Sequence, residues 1–210
     1  MQKTAIILGA TGLTGSLVLE QLLSDANYGT IKLFSRAPTG ISHPKVKEYI
    51  GSLLVLEDFK EDLIGDELYI CIGTTKKKTP NQEQYRKIDL GIPAQAVEIC
   101  KNNGISKVAV VSAIGANAKS SITYNKIKGE MEHAVLTAKI EHTYILRPSF
   151  IAGNRQEHRA GEELGIAVFK CLKFFIPKKY RAVEARAIAL KMIELCNSKA
   201  PSKIIESNEI

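Results

Sequence analysis

The sequence predicts an α/β fold of the Rossmann type, a doubly wound parallel sheet with a small C-terminal substrate-side lobe. Apolar runs of five or six residues alternate with amphipathic stretches of helical length. Strands that are apolar throughout and separated by helices are typical of a parallel sheet buried on both faces. A glycine-rich turn also follows the first apolar run, where such a fold joins its first strand to its first helix.

The predicted elements follow one another along the chain without an internal repeat. Strands are predicted at residues 4–8, 30–34, 45–50, 67–72, 107–111 and 142–146. Helices are predicted at residues 13–24, 82–102, 122–139 and 182–197, with a short one near residues 57–63. Gly104 is placed to end the longest helix, because glycine readily adopts the left-handed conformation that terminates many helices.

The last quarter of the chain does not keep this alternation. A polar stretch at residues 153–165 is followed by an apolar run at residues 165–176 and then by the last predicted helix. At 210 residues the chain is long enough for one domain with a well-buried core. We therefore predict a single domain over residues 1–210, with a binding core at about 1–150 and the substrate-side lobe at about 151–210.

The net charge of +7 is compatible with several kinds of partner. A basic surface suits a nucleic acid, an anionic membrane or a small anionic ligand. No recognition-helix, zinc-finger or RNA-binding signature accompanies the charge, so nucleic acid is not expected as a partner. The basic and aromatic segment at residues 173–181 leaves a membrane-surface contact, an apolar lid and a subunit contact open. The oligomeric state does not follow from the sequence.

Neither the cysteines nor the N-terminus indicates a metal site or a membrane protein. Cys71, Cys100, Cys171 and Cys196 are widely spaced in apolar stretches, which predicts buried, reduced thiols. The four histidines show no metal-ligand spacing with each other or with cysteine, so no metal is expected. The apolar run at residues 5–8 is too short for a signal peptide or a membrane span, and we expect a cytoplasmic protein.

A three-glycine turn joins the first predicted strand to the first helix. It consists of Gly9, Ala10, Thr11, Gly12, Leu13, Thr14 and Gly15. In this pattern the first glycine allows a tight turn, the second lets the backbone approach a pyrophosphate, and the third lets the helix pack on the strand. The helix N-terminus then offers free N–H groups and a partial positive charge to the anion. The motif in this position predicts a dinucleotide-binding site.

The end of the second predicted strand indicates which dinucleotide is bound. Proteins that bind NAD usually place an acidic residue there to accept a hydrogen bond from the ribose 2′-hydroxyl. This chain has Ser35, Arg36 and Ala37 and no acidic residue at that point. Because a guanidinium pairs bidentately with phosphate, Arg36 favours NADPH over NADH. An arginine at an exposed strand end is also common without any ligand, and that interpretation stays open.

A tyrosine and a lysine four residues apart share one face of the helix predicted at residues 122–139. The ammonium of Lys128 would favour the phenolate of Tyr124 and lower its pKa from about 10 towards neutrality. Ser112, which follows the strand at residues 107–111, could stabilise negative charge on a substrate oxygen. This arrangement predicts reduction of a carbonyl group, although a tyrosine packed on a lysine stem would show the same spacing without any chemistry.

These motifs together resemble the short-chain dehydrogenase/reductase superfamily. The resemblance is to its shortened, atypical members, the Tat-interactive-protein-like oxidoreductases that bind NADPH, and it covers about the first 190 residues. Its most specific parts are Gly73-Thr74-Thr75, Tyr124 with Lys128-Gly129-Glu130, Arg147-Pro148, and Asn154-Arg155-Gln156-Glu157 followed by Arg159 and Gly161-Glu162.

The resemblance implies how the adenosine half of the cofactor is held. Residues 11–14 would wrap the pyrophosphate, and Arg36 would bind the 2′-phosphate. Ile72 and Gly73 would pass beside the adenosine and its ribose. Arg159 would reach back to the cofactor phosphates.

The resemblance also implies the roles of the residues near the nicotinamide. Tyr124 would donate or accept the proton, while Lys128 would hold the nicotinamide ribose. Ile151 would face the nicotinamide ring. These roles predict an NADPH-dependent oxidoreductase that reduces a carbonyl of an unidentified small molecule.

Two departures from the family pattern favour a second hypothesis. Many relatives carry a serine pair after the fifth strand, whereas here Ser112 is followed by Ala113. An asparagine is common in the long helix at the position of Asp89. These departures are compatible with a non-catalytic regulator or scaffold that binds NADPH and a protein partner.

Overall fold

The structure is a computed structural model that describes residues 2–153, 177–198 and 200–210. Seven parallel strands form one sheet in the order β3-β2-β1-β4-β5-β6-β9. They are β1 (Lys3–Leu8), β2 (Tyr28–Ser35), β3 (Val46–Ile50), β4 (Glu67–Ile70), β5 (Lys107–Val111), β6 (His142–Arg147) and β9 (Lys203–Glu206). The predicted doubly wound parallel sheet is confirmed, and its strand order reverses between β1 and β4, where open sheets of this kind bind ligands.

Apolar side chains of the central strands are buried on both faces of the sheet. In β1, Ile6 and Leu8 belong to one core cluster, whereas Ala5 and Ile7 belong to the other, and all four are fully buried. Successive side chains of a strand point to opposite faces, so the apolar residues at Ala5–Leu8 contribute to the core on both sides of the sheet.

Helices cover the two faces in pairs. On one face, α1 (Leu13–Ser24) packs against a helix near the C-terminus, Ala185–Asn197, which we call α5. On the other face, α3 (Ile92–Asn102) packs against α4 (Thr123–Thr137). The first pair brings Val18 into the cluster around Ile7, and the second pair adds residues of α3 and α4 to the cluster around Ile6.

The long helix predicted at residues 82–102 is interrupted. It begins as α2 (Gln82–Arg86), continues through a π-helical turn (Lys87–Gly91) and then becomes α3. Pro93 has no backbone N–H to donate to the carbonyl of Asp89, as a regular α-helix would require, and this loss favours the wider turn. At the other end, Gly104 has a φ of +79° and terminates the helix as predicted.

The structure differs from the predicted elements in three further places. The short helix near residues 57–63 is a single 3₁₀ turn, Leu56–Phe59. The strand predicted to reach residue 72 ends at Ile70, which leaves Ile72 in a loop. Strand β9 was not predicted, because Ile204 and Ile205 are the only apolar residues in it and polar residues flank them.

The region from residue 151 onwards contributes to two sheets. Strands β7 (Ile151–Ala152) and β8 (Val183–Glu184) form a separate two-stranded parallel sheet. Helix α5 and strand β9, which the sequence interpretation assigned to the lobe, belong instead to the main layered core. The apolar run at residues 165–176, Arg159 and Cys171 lie outside the described residues.

Within the described ranges, no helix is both long and apolar enough to cross a membrane. The same ranges contain no group of three or more His, Cys, Asp or Glu side chains that could hold a metal ion. Cys100 and Cys196 are buried free thiols, and Cys71 is partly exposed.

Candidate active site

A cavity of about 1100 Å³ brings together most of the predicted site residues at the carboxyl ends of the central strands. The predicted residues that line it are Thr11, Gly12, Leu13, Thr14, Ile72, Gly73, Ser112, Tyr124, Lys128 and Ile151. Gly9 and Gly15 support the turn without lining the cavity, and Arg36 stands outside the lining. The cavity therefore joins the dinucleotide turn to the tyrosine and lysine.

The turn at residues 9–15 can keep its shape only with glycine at two positions. Gly9 has a φ of +93°, and a Cβ there would lie 2.8 Å from the carbonyl oxygen of Cys71. A Cβ on Gly15 would lie 2.1 Å from the carbonyl oxygen of Gly9. Gly12 is less constrained, because its Cβ would lie 3.3 Å from that oxygen. The backbone segments of the turn thus pack closely on one another, in space that side chains would otherwise occupy.

The N-terminus of α1 fits an anion such as a pyrophosphate. Gly12 is its N-cap and has no side chain with which to satisfy the first N–H groups. The first turn carries no acidic residue that would repel an anion. Free N–H groups and the positive end of the helix dipole therefore face the cavity beside Thr11 and Thr14. Together with the glycine cradle, this geometry fits a dinucleotide.

Arg36 follows the last residue of β2 and is exposed to solvent. Its neighbour Ser35 donates a hydrogen bond from its hydroxyl to the carbonyl oxygen of Ala37, at 2.7 Å, and so tightens the backbone there. Arg36 forms no ion pair or hydrogen bond with the described part of the chain. Its guanidinium is therefore available to a ligand that extends beyond the cavity.

Helix α4 is held against the preceding loop so that its first turn borders the cavity. A Cβ on Gly129 would lie 2.1 Å from the backbone nitrogen of Ala118, so glycine lets the loop pack directly on the helix. The N–H of Asn117 also donates to the carbonyl oxygen of Asn125, at 2.9 Å. This close packing explains why a glycine follows the lysine of the motif, and it fixes Tyr124 at the cavity edge.

Lys128 is almost completely buried and faces an acidic residue. Its Nζ lies 3.0 Å from Oδ1 of Asp89, whose side chain is 1% exposed. The other carboxylate oxygen of Asp89 accepts a hydrogen bond of 2.8 Å from the backbone N–H of Thr74. Gly73 leaves room above the pair, since a Cβ there would come to 3.5 Å from Asp89 and 3.7 Å from Lys128. The lysine charge is therefore largely neutralised within the protein.

Tyr124 is 43% exposed at the opening of the cavity. Desolvation raises the pKa of its phenol, and the charge of Asp89 raises it further, while the charge of Lys128 lowers it. The resulting pKa is above the ordinary tyrosine value. In the protein alone, the pKa of Tyr124 is therefore not lowered towards neutrality as expected, because desolvation of the phenol outweighs the effect of the lysine charge.

Ser112 lines the cavity but directs its hydroxyl to a buried carboxylate. Its Oγ donates a hydrogen bond to Oε1 of Glu132 at 2.5 Å. Arg147 holds the same carboxylate bidentately, with N–O distances of 2.9 and 2.6 Å, and also contacts Glu206 at 3.0 Å. In the protein alone, the donor proton of Ser112 is therefore engaged in a structural network, and its predicted role of donating to a substrate oxygen stays a prediction.

We expect Ser112→Ala to lower the turnover number less than tenfold, because its hydroxyl bonds to Glu132 and not towards the cavity. Glu132 keeps both bonds to Arg147, so the free energy of unfolding should fall by only about 1 kcal/mol. Steady-state kinetics and thermal unfolding of the variant would measure both effects. A loss of turnover above about 100-fold, the range of general acid–base catalysis, would show that the serine acts on the substrate.

Tyr85 and Asp89 line the cavity but were not among the predicted site residues. Tyr85, on α2, is 8% exposed, and burial followed by the charge of Asp89 raises the pKa of its phenol. Asp89 was noted only as a departure from the family pattern, although it is in contact with Lys128. The signal that could have found it was Pro93, four residues later in the predicted helix.

Cys71 lines the cavity, but burial raises the pKa of its thiol to about 12. Because the thiolate is the nucleophilic form, a thiol with this pKa does not act as a nucleophile near neutral pH.

The segment that contains Ile151 packs on the first helix. Gly153 lies close to Leu13, since a Cβ on Gly153 would lie 2.9 Å from Cδ1 of the leucine. Ile151 thus approaches the turn from the side of the small sheet.

Three comparisons agree with this geometry. The NAD(P)H-binding family matches residues 9–159 of the chain. A mitochondrial protein named FMP52 from Candida albicans is 33% identical over 167 residues, which cover 77% of this chain and 73% of that protein. Protein HTATIP2 from Rattus norvegicus is 27% identical over 174 residues, which cover 81% of this chain and 72% of that protein.

A solved structure shows the same fold. The Bordetella bronchiseptica enzyme WbmG, crystallised with NAD, matches the chain with a TM-score of 0.73 at 11% sequence identity. The match covers 97% of this chain and 72% of that one. At this level of identity the likeness concerns the arrangement of strands and helices, and it agrees with the seven-stranded sheet described above.

The relatives contradict the expectation of a cytoplasmic protein. The FMP52 proteins from Candida albicans and Eremothecium gossypii and the FMP52-1 protein from Scheffersomyces stipitis are all named as mitochondrial. The expectation depended on the lack of an apolar signal peptide. That feature does not bear on mitochondrial import, which uses amphipathic segments rich in arginine and serine.

Proposed function

Because the chain belongs to the NAD(P)H-binding family and is an atypical protein of the short-chain dehydrogenase/reductase type, we propose that it is an NADPH-dependent oxidoreductase that reduces a carbonyl group of a small molecule. The observation that carries the proposal is the single cavity shared by the glycine turn, Tyr124 and Lys128. A binding protein would need the turn alone, whereas a buried lysine beside a tyrosine suits proton transfer.

The residues that would hold the cofactor follow from the cavity. The N-terminal turn of α1 would bind the pyrophosphate, and Ile72 and Gly73 would border the adenosine ribose. Ile151 would cover the nicotinamide from the opposite side, and Arg159 is proposed as a further phosphate contact. When bound, the cofactor supplies a hydride.

Tyr124 would supply the proton. Reduction of a carbonyl adds a hydride to the carbon and a proton to the oxygen, so the acid must be protonated before the reaction. The raised pKa keeps the phenol of Tyr124 protonated at neutral pH. Lys128 would donate hydrogen bonds to the nicotinamide ribose from beneath the tyrosine, and its burial keeps it in that position.

The reductase activity can be tested directly. Purified protein should oxidise NADPH in the presence of at least one member of a panel of aliphatic and aromatic aldehydes and ketones. Loss of NADPH absorbance, with the alcohol product identified by mass spectrometry, would measure it. Tight NADPH binding without turnover across the whole panel would contradict the proposal.

Arg36 should set the preference for NADPH over NADH. We expect Arg36→Gln to raise the Kd for NADPH by about 10- to 100-fold, because hydrogen bonds to charged groups contribute about 1.5–3 kcal/mol. The Kd for NADH, which lacks the 2′-phosphate, should change less than twofold. Fluorescence titration with each cofactor would measure both constants.

Arg186→Gln is the matched control for this prediction. Arg186 is also an exposed arginine, but it pairs with Glu20 at 3.3 Å and does not line the cavity. Its removal should leave both cofactor affinities unchanged. If Arg36→Gln weakened NADPH and NADH equally, the guanidinium would not recognise the 2′-phosphate.

A second candidate function is favoured by the position of Ser112. Its hydroxyl is engaged by Glu132, which leaves the cavity without the serine donor that a reductase of this type would use. The chain would then be an NADPH-binding regulator or scaffold with a protein partner. This function predicts a partner that is recovered in a pull-down only when NADPH is present, and a pull-down indifferent to NADPH would exclude it.

A further inference from the structure

The hydroxyl groups in the cavity wall differ in whether the protein itself engages them. Ser112 donates its hydroxyl proton to Glu132. The hydroxyls of Thr74 and Thr79 bond to each other at 2.9 Å. The phenol of Tyr85 lines the same cavity and forms no hydrogen bond with the described part of the chain. Tyr85 therefore keeps a hydrogen-bond donor for a molecule in the cavity.

The burial of Tyr85 makes this free hydroxyl unusual. The residue is 8% exposed, and a tyrosine buried to this degree usually has a partner for its hydroxyl, because losing hydrogen bonds to water is costly. The oxygen nevertheless stays in contact with solvent, since among the described residues only Oδ1 of Asp89 is both fully enclosed and without a hydrogen-bond partner. Because Tyr85 lines the cavity, the cavity gives a bound molecule access to the phenol.

Helix α2 holds Tyr85 near the side of the cavity where Tyr124 lies. Arg86, the next residue, forms an ion pair with Glu130 and so ties the end of α2 to α4, the helix that carries Tyr124. Burial raises the pKa of the Tyr85 phenol most, and the negative charges of Asp89 and of the Tyr124 phenolate raise it further. The two phenols are thus close enough for the charge of one to act on the other.

We propose that the phenol of Tyr85 binds the substrate oxygen, as a hydrogen-bond donor beside Tyr124. Donors aimed at the oxygen stabilise the negative charge that develops there during reduction. Tyr85 supplies the donor that Ser112, in the protein alone, directs to Glu132. This inference rests on the proposed reductase function and adds to it a catalytic residue that contacts the substrate.

The two phenols have separate tasks in the reaction. Hydride addition breaks the π bond of the carbonyl group and moves its electron pair onto the oxygen. Tyr124 gives its proton to that oxygen and becomes a phenolate. Tyr85 keeps its proton and donates only a hydrogen bond, which strengthens as negative charge grows on the oxygen. The raised pKa of Tyr85 suits this task, because the donor stays protonated at neutral pH.

The test uses Tyr85→Phe, which removes the hydroxyl and keeps the ring. We expect the turnover number for carbonyl reduction to fall about 10- to 100-fold with KM nearly unchanged, because the bond is strongest in the transition state. The Kd for NADPH and the midpoint of thermal unfolding should not change, since the hydroxyl has no partner within the described residues. Steady-state kinetics, fluorescence titration and thermal unfolding would measure these effects.

Tyr49→Phe is the matched control. Tyr49, on β3, stacks on Phe34 with ring centroids 4.7 Å apart, and burial raises the pKa of its phenol as it does for Tyr85. It does not line the cavity, so turnover should be unchanged. A loss below about tenfold in Tyr85→Phe, or an equal loss in Tyr49→Phe, would overturn the proposal. Disappearance of the alkaline limb of the reduction profile in Tyr85→Phe would also overturn it, because Tyr85 would then give the proton.

A spectroscopic readout needs no turnover. Acetophenone that is isotope-labelled at its carbonyl carbon is added to the protein with NADP⁺, which has no hydride to transfer, and infrared difference spectra record the carbonyl stretch of the bound ketone. Hydrogen bonds from the two phenols should move this band to lower frequency than in an apolar solvent. Tyr85→Phe should return it part of the way, and Tyr49→Phe should leave it in place. No shift in the unsubstituted protein, or an equal shift in Tyr85→Phe, would contradict the proposal.

The two measurements separate the role of Tyr85 from the reductase function. A band that moves back in Tyr85→Phe, in a protein that reduces no member of the carbonyl panel, would contradict the reductase function alone. Full turnover in Tyr85→Phe, in an enzyme that loses its activity in Tyr124→Phe, would contradict the role of Tyr85 alone.

Discussion

Tyr124→Phe should lower the rate of carbonyl reduction by at least about 100-fold, because a positioned general acid contributes about 10²- to 10⁴-fold to the rate of a reaction. The substitution removes one hydroxyl from a side chain that is 43% exposed and donates no hydrogen bond within the described residues, so the fold should be unaffected. Steady-state NADPH oxidation with the best substrate of the carbonyl panel would measure the loss.

Cofactor affinity separates a catalytic loss from a binding loss. The turn of α1 would hold the pyrophosphate, and the phenol of Tyr124 contributes nothing to that end of the cavity, so the Kd for NADPH should change less than threefold. Tyr180→Phe is a suitable control, since Tyr180 is 57% exposed and does not line the cavity. Turnover that persisted in Tyr124→Phe would show that another group supplies the proton, and Tyr85 would be the first candidate.

The parts of this protein that the sequence predicted are those determined by near neighbours. Gly104 ends its helix because its own φ is positive, and the four-residue spacing of Tyr124 and Lys128 places them on one helical face. Gly9 is required by its own positive φ, and Gly15 by its close contact with Gly9 within the same turn. Each of these features is encoded within a few residues.

The roles of the polar residues in the cavity depend on distant parts of the chain. Ser112 follows the predicted strand, yet its hydroxyl is directed by Glu132, twenty residues later, which Arg147 holds in place. A tyrosine and a lysine four apart predict a lowered pKa for the tyrosine, but desolvation in the folded protein, to which the charge of Asp89 adds, raises it instead. No period or spacing in the sequence carries this information, because the burial of the phenol and the meeting of the charges occur only in the folded protein.

The π-helical turn and the edge strand show two further limits. Pro93 gave a local signal that the long helix was irregular, but the sequence does not show where the irregular turn directs Asp89. Strand β9 has only two apolar residues, since it lies at the edge of the sheet and its ends are solvated. Its pairing with β6 is determined by the sheet it joins and not by its own pattern.

Gly15→Ala should strongly weaken NADPH binding and also destabilise the fold. The new Cβ would lie 2.1 Å from the carbonyl oxygen of Gly9, and both are held by backbone that cannot rotate away as a side chain would, so the turn must move. Overpacking of this kind costs about 1–3 kcal/mol of unfolding free energy. Loss of two or more backbone bonds to the pyrophosphate, at about 1.5–3 kcal/mol each, should raise the Kd by more than about 100-fold.

Gly91→Ala is the matched control for this substitution. A Cβ on Gly91 would meet nothing within 4 Å, and its φ of −63° is helical. This variant should be as stable as the unsubstituted protein or more stable by up to about 1 kcal/mol, with unchanged NADPH affinity. Thermal unfolding and fluorescence titration of both variants would measure the effects. Full NADPH affinity in Gly15→Ala would mean that the cofactor does not bind on this turn.

Gly12→Ala distinguishes the support of the turn from its contact with the cofactor. Its Cβ would lie 3.3 Å from the oxygen of Gly9, a contact that a small backbone adjustment relieves, so stability should fall by less than about 1 kcal/mol. The methyl group would nevertheless lie on the surface that a pyrophosphate approaches, and affinity for NADPH should fall as sharply as in Gly15→Ala. Gly15→Ala should therefore lower both stability and NADPH affinity, because Gly15 supports the turn from behind. Gly12→Ala should lower NADPH affinity with little loss of stability, because Gly12 faces the ligand.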